Sequence, residues 1–289
     1  MKDIFVLLNG SRGLGVVEAL VAEGHHVAAM IVPEKMTSCD PIGLRLGVAI
    51  WRVADVNAPA FIADLAGRSP ALIVIAGFST IVKAPFLAIP RLGAINLHAG
   101  RLPQYRGGSP LNWQMINGEA TAGLSVLFVG EGIDDGPVLR EATIPIAATD
   151  TIADLHEKAN RLFPKMVLRA IADIEAGAPR PKPQDEAAAA YWHQRSDADG
   201  AIDWRAWPAA RVERFVRALT RPYPGAQCRR GGDIVRVFAV ASPPLPLRGT
   251  PGRVCFIQGQ GPYVVCADQA VLLTDYSVAS PLRHGDILS

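Results

Sequence analysis

What the sequence has little of narrows it first. Its four cysteines, Cys39, Cys228, Cys255 and Cys266, contain no Cys-x-x-Cys pair and no Cys/His spacing of the zinc type. Neither a disulfide framework nor a metal site is expected, and reduced thiols in a cytoplasmic protein are the plain reading. No run of about 18 apolar residues occurs, so no membrane span is expected. The apolar start from Ile4 to Leu8 is too short for a secretory leader and reads as the first strand of a sheet. An excess of one charge is also missing. Lys and Arg number 29 against 27 Asp and Glu, a formal net charge of +2, which argues against a nucleic-acid-binding surface although a local patch could hide in the sum.

Two enzyme signatures are absent as well. The turn Gly10-Ser11-Arg12-Gly13-Leu14-Gly15 does not follow the G-x-G-x-x-G spacing of dinucleotide binding. The residues four places after Tyr105, Tyr191, Tyr223, Tyr263 and Tyr276 are Ser109, Arg195, Gln227, Ala267 and Ser280, so the Tyr-x-x-x-Lys of short-chain dehydrogenases is missing. The segment Gly77-Phe78-Ser79-Thr80-Ile81 ends in Ile where a nucleophile elbow needs Gly, which counts against a serine hydrolase.

What is present is an alternation. With 289 residues, 49% apolar and 19% charged, the chain suits two domains or one large one. Ile4 to Leu8 reads as a strand, Gly10 to Gly15 as a glycine-rich turn and Val16 to Glu23 as a helix. His26 to Val32 then reads as a strand, Pro59 to Ala66 as a helix and Pro70 to Ala76 as a strand. Such repetition means a parallel sheet with helices on both faces, an α/β fold. The longest helical pattern, Thr151 to Glu175, carries Pro164, which can kink or divide it. A first domain is expected over 1–177, a proline-rich linker over 178–200 and a small β domain over 201–289.

The densest chemistry lies around Asn96. The short strand Gly93 to Leu97 delivers Asn96 and His98 to one side of its carboxyl end. A loop rich in Gly and Pro follows, carrying Tyr105 and Arg106. Open α/β sheets place their sites at strand ends of this kind; a capped strand end with an ordinary loop is the bland alternative. The acidic loop Glu131-Gly132-Ile133-Asp134-Asp135-Gly136-Pro137 follows a further strand, Gly123 to Val129. Loop aspartates are commonly turn formers, yet a carboxylate beside an imidazole orients it for acid–base work. His25, His26, His156, His193 and His284 read as solvated or structural. The glycine turn after the first strand could hold a phosphate on backbone N–H groups, or it could be a tight turn only.

Asn96-x-His98, then Leu102-Pro103-x-Tyr105-Arg106-Gly107, then Asp134 in Ile-Asp-Asp-Gly-Pro, resembles the formyltransferases that use N10-formyltetrahydrofolate. The run from Asn96 to Glu119, with Leu111-Asn112-Trp113 and Ile116-Asn117-Gly118-Glu119, is most similar to members acting on nucleotide-linked amino sugars. Asp199 to Trp204 and Arg221 to Ala226 resemble the carboxyl-terminal part of these enzymes. The resemblance implies a Rossmann-like catalytic domain followed by a small OB-like β-barrel. It implies Asn96, His98 and Asp134 as the catalytic trio. Phe78, Ile81, Leu102, Pro103 and Ile133 are the implied folate contacts, and no metal is needed. Many members have Ser after His-Gly; here His98-Ala99-Gly100-Arg101 departs from that and leaves the trio intact.

Gly10, Arg12, Tyr105 and Arg106 are the expected contacts to a nucleotide-sugar substrate, with Arg106 and the glycine turn as phosphate donors and Tyr105 as a stacking surface. The related tRNA-modifying enzymes carry an extended basic loop after the second strand. Here Pro33 to Gly47 is short, and its Glu34, Lys35, Asp40 and Arg45 sum to zero. A small amino sugar is therefore expected as acceptor rather than RNA, with no membrane partner; a homodimer is compatible with the sequence. The alternatives are methionyl-tRNA formyltransferase, favoured by Arg211, Arg214, Arg217, Arg221, Arg229, Arg230 and Arg236, and a non-catalytic folate- or nucleotide-binding protein of the same fold.

Overall fold

The computed structural model describes residues 3–78 and 80–289; Ser79, which belongs to the Gly77–Ile81 motif, and the first two residues lie outside them. The chain divides into two compact units. The first holds residues 1–110, 122–144 and 157–192, and the second holds 111–121, 145–156 and 193–289. None of the described helices is long and apolar enough to cross a membrane.

The first half of the chain runs β1 (Ile4–Leu8), α1 (Ser11–Ala22), β2 (Val27–Pro33), α2 (Asp40–Leu46), β3 (Ala49–Val53), α3 (Pro59–Gly67), β4 (Leu72–Ala76), α4 (Ala84–Leu87) and β5 (Ala94–His98). There follow β6 (Arg106–Gly107), α5 (Pro110–Ile116), β7 (Thr121–Phe128), β8 (Val138–Pro145) and α6 (Ile152–Glu175). A seven-stranded sheet has the order β3-β2-β1-β4-β5-β7-β8. β1 to β5 pair in parallel, and β7 joins β5 antiparallel, with His98 opposite Ser125. β1 and β4 are buried along their whole length, as continuous Val/Ile/Leu runs between two helical layers should be. Pro164 is accommodated inside α6.

Helix α1 begins at Ser11, five residues earlier than the Val16 expected from the sequence. Gly13 explains the difference. A Cβ there would collide with the side chain of Leu8 and approach the carbonyl of Ala76, so this glycine lets the helix press onto the sheet. Of Gly10, Gly13 and Gly15 in this turn, Gly10 is the one at positive φ, 109.

The stretch expected as a linker is structured. Lys182 exchanges backbone hydrogen bonds with Val138, at 2.8 and 2.9 Å. β9 (Tyr191–Trp192) pairs in parallel with β6. Backbone groups that look free in a proline-rich sequence are thus satisfied by strands 44–85 residues earlier.

The second unit contains α7 (Ala209–Leu219) and an antiparallel sheet of β10 (Ala226–Arg230), β11 (Asp233–Ala241), β12 (Val254–Ile257), β13 (Gln260–Val265) and β14 (Ala270–Ser277). Its order is β10-β11-β14-β13-β12. Both edges are engaged by the chain's last residues. Arg229 and Ser289 exchange backbone bonds at 2.6 and 2.8 Å, Val254 N–H donates to Asp286 at 2.9 Å, and Leu288 N–H donates to Gly252 at 2.8 Å. Covered edges of this kind resist edge-to-edge association. Val212, Phe215, Val216 and Leu219 of α7 pack with Val235, Val237, Val264, Val271 and Leu288 in its core. Burial pushes the Cys228 and Cys266 thiols up to about 12, so both behave as small apolar core groups.

Candidate active site

β5 fixes two side chains of the site. Asn96 and His98 are two residues apart on a strand held by β4 on one side and β7 on the other, so both project to one face of a rigid sheet. The loop between β7 and β8 brings Asp134 to them. Asn96 Nδ2 donates to Asp134 Oδ1 at 3.2 Å. His98 Nδ1 lies 3.3 Å from Asp134 Oδ2. The Gly107 backbone N–H donates to the same Oδ2 at 2.9 Å.

His98 is only 5% exposed. Its Nε2 is 2.5 Å from the Tyr105 carbonyl, which can only accept, so Nε2 carries a proton. Nδ1 then faces the carboxylate, and a hydrogen bond there requires a second proton on Nδ1 or one on Asp134. The contact fixes the orientation of the imidazole against the carboxylate.

The loop that carries Asp134 has local reasons for its shape. Asp134 sits at φ 52, in the left-handed region that Asp tolerates better than most residues. Gly136 follows because a Cβ there would run into the Phe128 carbonyl. Asp135 turns back to accept the Gly132 N–H at 3.1 Å, a turn-forming role within its own loop. Gly100 is similarly constrained, since a side chain there would meet the His98 ring and the Tyr105 carbonyl.

The trio therefore meets, but several other residues expected at the site do not serve as expected. Arg106 is fully buried rather than open to a diphosphate. Its guanidinium donates to both Glu186 oxygens at 2.6 and 2.9 Å, to Gln184 Oε1 at 3.0 Å and to Tyr191 Oη at 2.7 Å. The hydrogen bond to Glu186 drives its pKa above the usual arginine value. Tyr105 is also buried, and its ring stacks on Trp192 at 5.5 Å between centroids rather than waiting for a base. Leu102 packs with Leu127 and Val138 in a small core cluster, which removes it from a folate surface. Pro103 is half-buried and its carbonyl accepts from Ala190. Arg12 donates to Asn160 Oδ1 at 3.2 Å and lies over the Phe163 ring at 5.0 Å, so it is partly committed within the fold. Gly10 stands at the amino end of α1 with open space around it.

Phe78 is half-buried against the sheet core, while Ile81 and Ile133 are 68% and 47% exposed. Ile133 directly precedes Asp134. A large apolar side chain held in solvent beside a polar group, as Ile133 is, suits the face of a flat heteroaromatic ring.

Sequence reading missed Gln184. Its Nε2 donates at 2.7 Å to the Asp134 carbonyl and at 2.7 Å to the Gly136 carbonyl. Nothing in the local pattern of a proline-rich stretch marks a partner 50 residues away.

Comparison with known proteins places the chain. Residues 15–171 match the family described as formyl transferase, and residues 195–280 match the formyl transferase C-terminal domain. The methionyl-tRNA formyltransferase of Syntrophus aciditrophicus (strain SB) is 30% identical over 295 residues, covering 98% of this chain and 94% of that protein. Among solved structures, an N-formyltransferase from Helicobacter canadensis in complex with folinic acid and dTDP-3-aminofucose superposes with a TM-score of 0.71 at 12% identity, covering 96% of this chain and 100% of that one. HypX from Aquifex aeolicus in complex with tetrahydrofolic acid gives a TM-score of 0.70 at 21% identity, covering 96% of this chain and 44% of HypX, so the chain spans less than half of that protein. At these identities the two structures are likenesses of fold.

Proposed function

The chain belongs to the formyl transferase family, and from that premise we propose that it moves a formyl group from N10-formyltetrahydrofolate to the primary amine of a nucleotide-linked amino sugar. Formyl-tetrahydrofolate is the co-substrate of the family. The observation that carries the chemistry is the meeting of Asn96, His98 and Asp134 at one strand end.

The donor supplies a formyl group, and the residues divide the remaining work. One N–H of the Asn96 amide is spent on Asp134. The other is the donor assigned to the formyl oxygen as negative charge gathers there; a contact of this kind is worth roughly 10²–10³ in rate. Asp134 takes the proton released by the attacking amine, directly or through water. His98, held by the Tyr105 carbonyl on one side, orients the carboxylate through Nδ1; as the amine nitrogen bonds to the formyl carbon the carbon–N10 bond breaks, and the proton taken from the amine passes to N10 of the leaving tetrahydrofolate. Ile81, Ile133 and Phe78 are the surfaces assigned to the pterin ring.

The acceptor is argued from charge. In the segment 33–47, where an RNA-binding enzyme would need free cations, Arg45 is paired with Glu18, and Asp40 is paired with Arg52. That supports a small acceptor over a phosphate backbone. Methionyl-tRNA remains the second reading because the relative from Syntrophus aligns over almost the entire chain. The experiment offers purified protein the formyl donor with dTDP-, UDP- and GDP-linked amino sugars, and separately with methionyl-tRNA. Formylated sugar without measurable tRNA affinity is the expected result. Formyl-methionyl-tRNA as product, with binding that weakens steeply as salt rises, replaces the proposal by the second reading. Absence of both formyl transfer and folate binding removes it.

A further inference from the structure

Asp134 is held by more than its two side-chain neighbours. Its backbone carbonyl and that of Gly136 converge on one amide, Gln184 Nε2, each at 2.7 Å. Two carbonyl oxygens pointing at one place repel unless a donor sits between them. The orientation of that donor is set by Arg106. A guanidinium has no acceptor, so the Gln184 atom 3.0 Å from Arg106 Nε must be the oxygen, which turns both amide hydrogens towards the carbonyls. Arg106 in turn cannot swing away, because it is fully buried and its other nitrogens are bonded to Glu186 and Tyr191.

The same stretch of chain holds the other wall of the site. Arg106 N–H donates to Ala190 at 3.0 Å and Gly108 N–H donates to Trp192 at 2.8 Å. Trp192 Nε1 donates to the Gln104 carbonyl at 3.0 Å. Between those anchors lie the Tyr105 carbonyl that receives His98 and the Gly107 N–H that binds the Asp134 carboxylate.

We infer that Gln184 is a positioning residue for formyl transfer: oriented by Arg106, it holds the Asp134 backbone so that the carboxylate meets Asn96, His98 and Gly107 together. This rests on the reading of Asp134 as the proton acceptor. Gln184→Glu is the sharpest perturbation. It keeps the shape of the side chain and its bond to Arg106, removes both donations, and sets a carboxylate against two carbonyls. Gln184→Ala is the second variant, removing the contact without adding charge.

The test reads two quantities. The first is amide exchange in the protein without substrate. In both variants the Gly107 N–H, now lacking a fixed carboxylate, exchanges at least about tenfold faster. The Gly108 N–H, held by Trp192, keeps its wild-type rate. The second is turnover with whichever amine the wild type formylates. There kcat falls about 10- to 100-fold, the scale of a misplacement near 1 Å, while KM for the formyl donor stays within about twofold. Introducing the same change into an Asp134→Asn background costs nothing further. Wild-type exchange at Gly107, equal acceleration at Gly107 and Gly108, or a turnover loss that adds fully to Asp134→Asn each overturns the assignment. If the wild type formylates no amine, the proposed function falls, and the Gly107 exchange rate still decides whether Gln184 holds Asp134.

Discussion

Gly100→Ala adds one methyl group at a place where the structure leaves no room for it. The new Cβ would lie 2.7 Å from the Tyr105 carbonyl oxygen and 2.9 Å from His98 Cδ2, with His98 Nε2 nearer still. An ordinary contact begins near 3.4 Å, so the Tyr105 carbonyl must retreat by about 0.7 Å. That retreat pulls apart the 2.5 Å contact between His98 Nε2 and Tyr105. Overpacking a buried site costs about 1–3 kcal/mol, and loosening one buried hydrogen bond costs about 0.5–1.5 kcal/mol more. Together these predict a loss of about 1.5–4.5 kcal/mol in chemical denaturation. Turnover should fall about 10²-fold, because His98 shifts relative to Asp134. Gly67→Ala is the control, since its Cβ would meet nothing within 4 Å and it lies at the end of α3; it should be neutral or slightly stabilising. A Gly100→Ala protein within about 0.5 kcal/mol of wild type and with unchanged turnover would refute the claim that this packing positions the imidazole.

Three further outcomes are expected. Asp134→Asn should lower kcat by at least about 10²-fold, whereas Asp135→Asn, which alters only the turn bond to Gly132, should be mild; kinetics on the two proteins in which the ranking is reversed would place the carboxylate wrongly. Glu186 is held below the usual carboxylate range by its hydrogen bond from Arg106. Its contribution to stability is therefore present above the ordinary Glu value of about 4.3 and is lost as pH falls through the lower, folded-state value. Denaturation curves of wild type and Glu186→Gln should accordingly differ at neutral pH and converge in acid, and a gap that persists in acid would exclude the ion pair as its cause. Leu288→Ala removes a buried side chain from the second unit's core and should cost about 2–5 kcal/mol in chemical denaturation.

How much of this was legible beforehand differs from element to element. β1, β2 and β4 announce themselves as apolar runs, because strands covered on both faces have no polar side to show. β3 was missed because it is a sheet edge with Trp51 half-buried and Arg52 exposed, and β10 because Arg229 and Arg230 end it in charge. The meeting of Asn96 and His98 follows from strand alternation alone. Tyr105 and Arg106 were misread for one shared reason. Their residue types suit ligand contact, and a sequence does not reveal that a later strand, β9, buries them. Gln184 was illegible because its role exists only through partners 48, 50 and 78 residues away.

The pairing of β6 with β9 also sets an order of events during synthesis. Every strand of the seven-stranded sheet has left the ribosome once Pro145 has, and the chain can begin to collapse around it. At that moment the loop from Pro103 to Gly108 still lacks its backbone partners, Ala190 and Trp192, and Arg106 lacks its partner Glu186. Residues are added at about 5–20 per second. The interval before Trp192 arrives is therefore several seconds, long compared with helix and hairpin formation. A nascent chain halted between residues 145 and 184 should thus hold a sheet but no competent site, and a chaperone that shields this loop would meet its client in that window.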